Sequence, residues 1–173
     1  MNKSFLSIGT NVGNKFENIQ NAIFFIKNNE IKIIKISSIY RSEPIGYKKQ
    51  SDFYNVVVKI STQMNVIDLF KTLKNIEKRM GRNFALPRSY PRVIDIDILT
   101  FGRNIIKNKI LTIPHLKLHK RKFVLLPWHE ISKKFIVPQY NKDVSTLLND
   151  VKDSSKICKL NVEQYEETLS YNN

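Results

Sequence analysis

The sequence predicts an α+β fold, an antiparallel sheet in the order β-α-β-β-α-β with both helices on one face. Three observations predict it. Two segments repeat their apolar residues at helical spacing, β-branched runs flank each of them, and turns bearing glycine or proline separate the runs. The chain has 173 residues, 42% of them hydrophobic, which suffices for one domain with an apolar core and no disulfide or metal staple.

Lys3 to Ile8 alternates as a short strand and runs into the turn Gly9-Thr10-Asn11-Val12-Gly13, whose glycines are expected to serve positive φ. Asn14 caps a helix to about Asn28, with Glu17 three residues on and Phe16, Ile19, Ile23 and Ile26 on one face. Ile31 to Tyr40 is β-branched and reads as one long strand, with Ile34 and Ile36 drifting to the opposite face from Ile31 and Ile33. Arg41 to Ser51, with Pro44 and Gly46, is a loop, and Phe53 to Ile60 is the next strand. Asn65 caps a second helix through Val66, Leu69, Phe70, Leu73, Ile76 and Met80, which Gly81 ends.

Gly81 to Arg92 is a basic, proline-bearing loop, and Val93 to Phe101 is the strongest strand in the chain. A hairpin arm around Ile105 and Ile106 follows, then a loop from Leu111 to His119. Arg121 to Ile131 is helical in pattern but is expected to break at Pro127. Ile136-Val137 and Val144 to Val151 supply a small strand and a short helix. The domain is expected to end at residue 153, with 154–173 a polar, loosely held tail.

Charge narrows the function. The chain carries 29 Lys and Arg against 15 Asp and Glu, a formal +14 that favours anionic partners. Abundant Lys, Asn and Ile also suggests compositional bias, so the placement of charge is more telling than its sum. Met1 to Thr10 holds no long apolar core, and no run approaches the roughly 20 apolar residues of a membrane span, so neither a signal peptide nor a membrane helix is expected. One cysteine, Cys158, excludes an internal disulfide and fits a cytoplasmic setting.

In Val93-Ile94-Asp95-Ile96-Asp97-Ile98-Leu99, strand alternation sends the isoleucines one way and both carboxylates the other. Between Gly81 and Lys122 these are the only two acids, among ten Lys and Arg. Two hard oxygen donors in a basic field suit a divalent cation whose remaining ligands are phosphate oxygens and water. Arg82, Arg92 and Arg121 flank turns beside the apolar runs and match oxyanions in geometry. His115, after Ile113-Pro114, can donate to a phosphate. No G-K-[ST] ending follows Gly9 to Asn14, and no C-x-x-C or H-E-x-x-H occurs, so neither a P-loop nor a zinc site is expected. The rival reading is a basic RNA-binding domain, but the aromatic-glycine pattern of such domains is absent and the carboxylate pair would repel phosphate without metal.

Together these motifs resemble the 6-hydroxymethyl-7,8-dihydropterin pyrophosphokinase family of folate biosynthesis. The resemblance rests on Pro91 to Leu99, then Leu111-Thr112-Ile113-Pro114-His115 and Arg121-Lys122-Phe123-Val124-Leu125. Ser7 to Asn11, Ser37 to Pro44 with Gly46, Phe53-Tyr54-Asn55, and Ile76-Glu77 through Gly81-Arg82 extend it upstream, in order, over about residues 4 to 150. It implies a ferredoxin-like domain that moves pyrophosphate from ATP to the pterin's hydroxymethyl oxygen and releases AMP. Asp95 and Asp97 are implied to hold two magnesium ions, and Arg82 and Arg92 to act on the transferred group. ATP is implied to meet Glu77, Arg82, Arg92, Ile98, His115 and Arg121. The pterin is implied to meet Ser42, Pro44, Ile45, Asn55 and Asp95, between the rings of Phe53 and Phe123. Loops 42–51 and 82–92 are implied to close over the substrates. The partners expected are these two small molecules, with no nucleic acid or membrane, and the enzyme is expected to be a monomer. The chain departs from the family's usual pattern at Phe84, Ser89-Tyr90 and Leu116, and Arg88 is the base that would stand in near Phe84.

Overall fold

Residues 1–87 and 89–161 are described by a computed structural model. The elements run β1 (Asn2–Thr10), α1 (Lys15–Lys27), β2 (Lys32–Ile36), β3 (Tyr40–Ser42), β4 (Phe53–Thr62), α2 (Val66–Arg79), β5 (Asp95–Phe101), β6 (Ile106–Lys107), β7 (Thr112–Ile113), α3 (Lys122–Ser132), β8 (Ile136–Val137), β9 (Lys142–Asp143), α4 (Val144–Asp150) and β10 (Ile157–Lys159). The main sheet is antiparallel in the order β10-β3-β4-β1-β5, with β2 also paired to β4. Taking β2 and β3 as one interrupted strand, this is the ferredoxin-like order expected.

Local chemistry explains the helix starts. Asn14 accepts the Glu17 N–H at 3.2 Å, and Asn65 accepts those of Ile67 and Asp68 at 3.0 Å each. Gly81, at φ +89, leaves α2 through a conformation that a side chain would resist.

Alternation along the strands divides the packing into two cores. Leu6, Ile8, Val56, Val58, Ile60, Ile96 and Ile98 face one way and meet Ile19, Ile23 and Ile26 of α1 and Leu69, Leu73 and Ile76 of α2. Phe5, Val57 and Leu99 face the other way and pack on Val124, Leu125 and Trp128 of α3 and on Val144 and Leu147 of α4. α1 and α2 therefore share one face as expected, while the later helices cover part of the second.

Three expectations change. The strand expected over Ile31 to Tyr40 is two strands: its register against β4 slips by one residue at Ile33/Lys35 and by one more between Ile36 and Tyr40. Ser37 occupies the break, where its hydroxyl accepts the Val57 N–H at 2.9 Å. The drift of Ile34 and Ile36 outward is seen, at 40% and 39% exposed. Pro127 does not break α3, because burial of Val124, Leu125 and Trp128 on the sheet offsets the hydrogen bond it removes. The polar tail contributes β10, which pairs with β3 and ties residues 157–159 to the domain's own sheet. Residues 162–173 of that tail, and Arg88 as a substitute base, lie outside the described residues.

Candidate active site

The site occupies the end of the second sheet face that α3 leaves uncovered. Gly9 of β1 pairs with Asp95 of β5 on one side and Asn55 of β4 on the other, so these three form one row across adjacent strands. Ser7, Asp97 and Val57 form the next row. Asp95 and Asp97 thus project on one face while Ile94, Ile96 and Ile98 are buried on the other, as alternation requires.

Asp95 is enclosed by arginine. Arg82 reaches its Oδ1 at 2.5 Å and Arg92 its Oδ2 at 2.7 Å. Burial works against its charge, but Arg82, Arg92 and Lys74 outweigh that and hold its carboxyl below the usual range. Asp97 is more open. Its Oδ2 lies 3.7 Å from both His115 Nε2 and Arg121 Nη1, beyond hydrogen-bond range. Burial, with Arg121 and Lys117, keeps the His115 imidazole below its usual pKa despite Asp97 and Asp95, so near neutrality it is an uncharged hydrogen-bonding group. Its backbone N–H donates to Leu99 O at 2.9 Å, which ties the loop to β5.

The neighbouring row offers a floor for a flat ligand. Gly9 puts no side chain between Asn55 and Asp95, and a Cβ there would come within 3.1 Å of Asn55 Oδ1 and 4.0 Å of Phe53 Cδ1. Asn55 Nδ2 donates to Ser42 Oγ at 2.9 Å, leaving its carbonyl oxygen directed at that floor. Arg92 lies over the Phe53 ring at 5.8 Å, and Arg121 over Phe123 at 5.6 Å, so each expected aromatic wall adjoins an expected phosphate-binding arginine. Pro44 is buried, and Ile45 is 53% exposed on the loop.

Glu77 and Ile98 sit differently from the rest. Glu77 is fully buried, and its Oε1 takes Lys74 at 2.8 Å, Arg82 at 2.7 Å and the Ile96 N–H at 2.5 Å. Burial pushes its carboxyl up, against these cations and the amide. The Ile98 side chain faces the α1/α2 core. The structure brings neither side chain onto the carboxylate face.

Three residues have roles that the sequence reading did not assign to them. Lys74 supports Glu77 and donates to Ile96 O at 3.1 Å. Asn11 accepts the Arg92 N–H at 2.8 Å and donates to Gln50 Oε1 at 2.9 Å, joining both site loops to the end of β1. Gly9 was expected to serve a positive φ, but only Gly13 of that turn has one, at +65; Gly9 lies within β1 and keeps space clear. A glycine inside a strand pattern is the signal that could have found it. Gln50 also donates to Ser89 O at 3.1 Å, and Tyr47 stacks on Tyr90 at 5.9 Å, so the two loops meet each other.

No three-residue group of His, Cys, Asp and Glu suited to a metal ion exists among the described residues. The donor set fits magnesium held by one or two carboxylates and completed by substrate oxygens and water.

The model of the 7,8-dihydro-6-hydroxymethylpterin-pyrophosphokinase family matches residues 5–133. A 2-amino-4-hydroxy-6-hydroxymethyldihydropteridine pyrophosphokinase of Haemophilus influenzae is 35% identical over 159 residues, covering 91% of this chain and 98% of that protein. The folic acid synthesis protein fol1 of Schizosaccharomyces pombe is 37% identical over 147 residues, and there the match spans only 20% of the relative's length. Among solved structures, an HPPK-DHPS of Plasmodium falciparum superposes with a TM-score of 0.66 at 18% identity, over 86% of this chain and 43% of that one, a likeness that shows the fold alone. The carboxylate pair, the arginines and the sheet that presents them are thus those of a chain that belongs to the 7,8-dihydro-6-hydroxymethylpterin-pyrophosphokinase family.

Proposed function

We propose that this chain transfers a pyrophosphoryl group from ATP to the hydroxymethyl oxygen of 6-hydroxymethyl-7,8-dihydropterin, giving AMP and the pterin pyrophosphate, in folate biosynthesis. The observation that carries this reading is the row Asn55-Gly9-Asp95: a floor without a side chain, with an amide at one end and the arginine-bound carboxylate at the other.

Two magnesium ions, held by Asp95 and Asp97 with triphosphate oxygens, would neutralise charge on the transferred group. Arg82 and Arg92 turn from Asp95 to the oxygens of the transferred group, where fixed cations favour the charge that develops. Arg121 and His115 bind phosphate oxygens from the Asp97 side, and adenosine lies toward Glu77 and Ile98. For both, the contact comes from the backbone, since their side chains are buried. Asn55 hydrogen-bonds the pterin edge beside Ser42, Pro44 and Ile45, with Phe53 and Phe123 on its two faces. The hydroxymethyl oxygen attacks the β-phosphorus in line and gives up its proton to solvent as the α,β bridge breaks and AMP leaves. Loops 42–51 and 82–92, already in contact, exclude water.

We place the enzyme in the cytoplasm as a monomer. The exposed, unpaired Cys158 supports a reducing compartment. No helix among the described residues is long and apolar enough to cross a membrane. The test is AMP release by purified protein given ATP, magnesium and the hydroxymethyl pterin, with one pterin pyrophosphate formed per AMP. Release of ADP instead, or no AMP above background, would sink the reading. Salt-sensitive RNA binding without magnesium would favour the rival.

A further inference from the structure

We propose that Asp153 is a positioning residue for the substrate site: from the C-terminal segment it fixes the start of α3, and with it Arg121 and Phe123. The inference rests on the pyrophosphokinase reading and adds to it a residue outside the segment 5–133 that the family's pattern covers.

Helix α3 begins without a cap of its own. Its N-cap residue is Arg121, whose side chain makes no capping hydrogen bond. The first amides of a helix have no partner within it, so something outside must accept them or the first turn frays. Asp153 does so: its Oδ2 accepts the Lys122 N–H at 3.0 Å from 31 residues away. Its Oδ1 accepts the Ser155 N–H at 3.0 Å, so both oxygens are engaged and the carboxylate is held in place. The bonded amide lies between the two site residues, Arg121 before it and Phe123 after it. Arg121 also covers the Phe123 ring at 5.6 Å and approaches Asp97 at 3.7 Å, so loosening this turn displaces both side chains together.

The segment beyond Asp153 ties the same helix to the opposite wall. β10 places Ile157 beside Ser42, the residue that accepts the Asn55 amide, and the Glu43 N–H donates to Lys156 O at 3.4 Å. Lys159 meets Glu130 of α3 at 3.2 Å, and Glu130 also accepts the Tyr40 hydroxyl at 2.9 Å. Residues 153–159 thus join the helix carrying Phe123 to the strand carrying Ser42. Asp153 stands at the helix end of that link.

A cap that only stabilises the fold would do none of this for substrates, and the protein contains a matched control. Asp143 caps α4 by accepting the Thr146 N–H at 2.7 Å, and α4 carries no residue of the site. The experiment compares Asp153→Ala, Asp153→Asn and Asp143→Ala by KM and kcat for ATP and pterin, by calorimetric binding of a non-hydrolysable ATP analogue with the pterin, and by melting temperature. Loss of a helix cap is worth about five-fold in an equilibrium, so Asp153→Ala should raise both KM values and both dissociation constants by about that factor, with kcat moving less. Asp153→Asn keeps one acceptor oxygen but replaces the other with an NH2 donor that cannot accept the second amide, so it should raise both KM values by less than Asp153→Ala does, about two- to three-fold. Asp143→Ala should lower the melting temperature and leave both KM values unchanged. Wild-type KM values in Asp153→Ala overturn the proposal, as does an equal rise of KM in Asp143→Ala. Should Asp153→Ala fail to fold, Asp153→Glu decides the matter, because it keeps the charge and shifts the oxygens: raised KM supports the proposal and unchanged KM overturns it. A wild-type protein that releases no AMP removes the pyrophosphokinase reading itself, and this proposal with it. An active wild type with an unaffected Asp153→Ala removes the proposal alone.

Discussion

The two faces of the sheet are made by the same strands and have opposite fates. The face of Leu6, Ile8, Val58, Ile60, Ile96 and Ile98 is covered by α1 and α2. The other is apolar only where α3 lies, at Phe5, Val57 and Leu99, and beyond that it presents Asp97, then Gly9 with Asp95 and Asn55. β5 spans both regimes within seven residues. An antiparallel sheet needs one well-covered face for stability, so the second can carry charges that would be intolerable in a core. Residues on the covered face should accordingly control stability, and residues at the open end activity.

That contrast is sharpest at Asp97. Asp97→Ala should lower turnover by roughly a thousand-fold or more, on the scale of losing a main electrostatic group, with little change in melting temperature. Retained turnover would break the division at its most important point. On the covered face, Ile60→Ala empties a fully buried position and should cost about 2–5 kcal/mol in denaturant titration. Any folded fraction should keep a near-normal KM; a selective loss of substrate binding would show that the faces are coupled. Gly9→Ala puts a methyl 3.1 Å from Asn55 Oδ1. The resulting crowding, about 1 kcal/mol or more, should weaken pterin binding several-fold and leave the ATP analogue's affinity almost unchanged. Equal weakening of both ligands would mean that the floor is not the pterin's. Asn65→Ala removes the α2 cap, far from the open end, and should cost about 1 kcal/mol without altering KM.

The smallest effect is a pH dependence. Burial raises the Glu130 carboxyl, but hydrogen bonds from Ser38, Tyr40 and Lys159 outweigh it, and the pKa lies below its ordinary 4.5. The unfolded chain then binds the proton more readily than the folded one. Stability from this group is full above the ordinary carboxylate value and fades as pH falls through the lowered one. Wild type should lose its margin over Glu130→Gln in melting temperature as the solution is acidified. A margin that does not narrow would remove the Glu130 clamp as an ionic contact.

Much of the fold was legible because its signals are local. Asn14 and Asn65 announce their helices by cap chemistry, and the core positions of α2 repeat at three and four residues. The carboxylate pair could be placed on one face of β5 by alternation alone. Legibility failed where a distant segment chose between local options. Pro127 reads as a breaker until the sheet buries the turn around it, and Ser37 reads as mid-strand until Val57 takes its hydroxyl. Gly9 reads as a turn glycine until β1 is extended past it and Asn55 arrives beside it.

The sequence by itself determined the helices, the strand periods, the basic field and the two acids within it, since each depends on residues a few positions apart. Only the tertiary structure decided that Asp95 is bound by two arginines while Asp97 stays open, that Glu77 is an interior anchor, and that Asp153 supplies the cap α3 lacks. Those outcomes depend on register and on contacts across long stretches of chain. They follow from burial of the whole apolar surface at once, which no local pattern records.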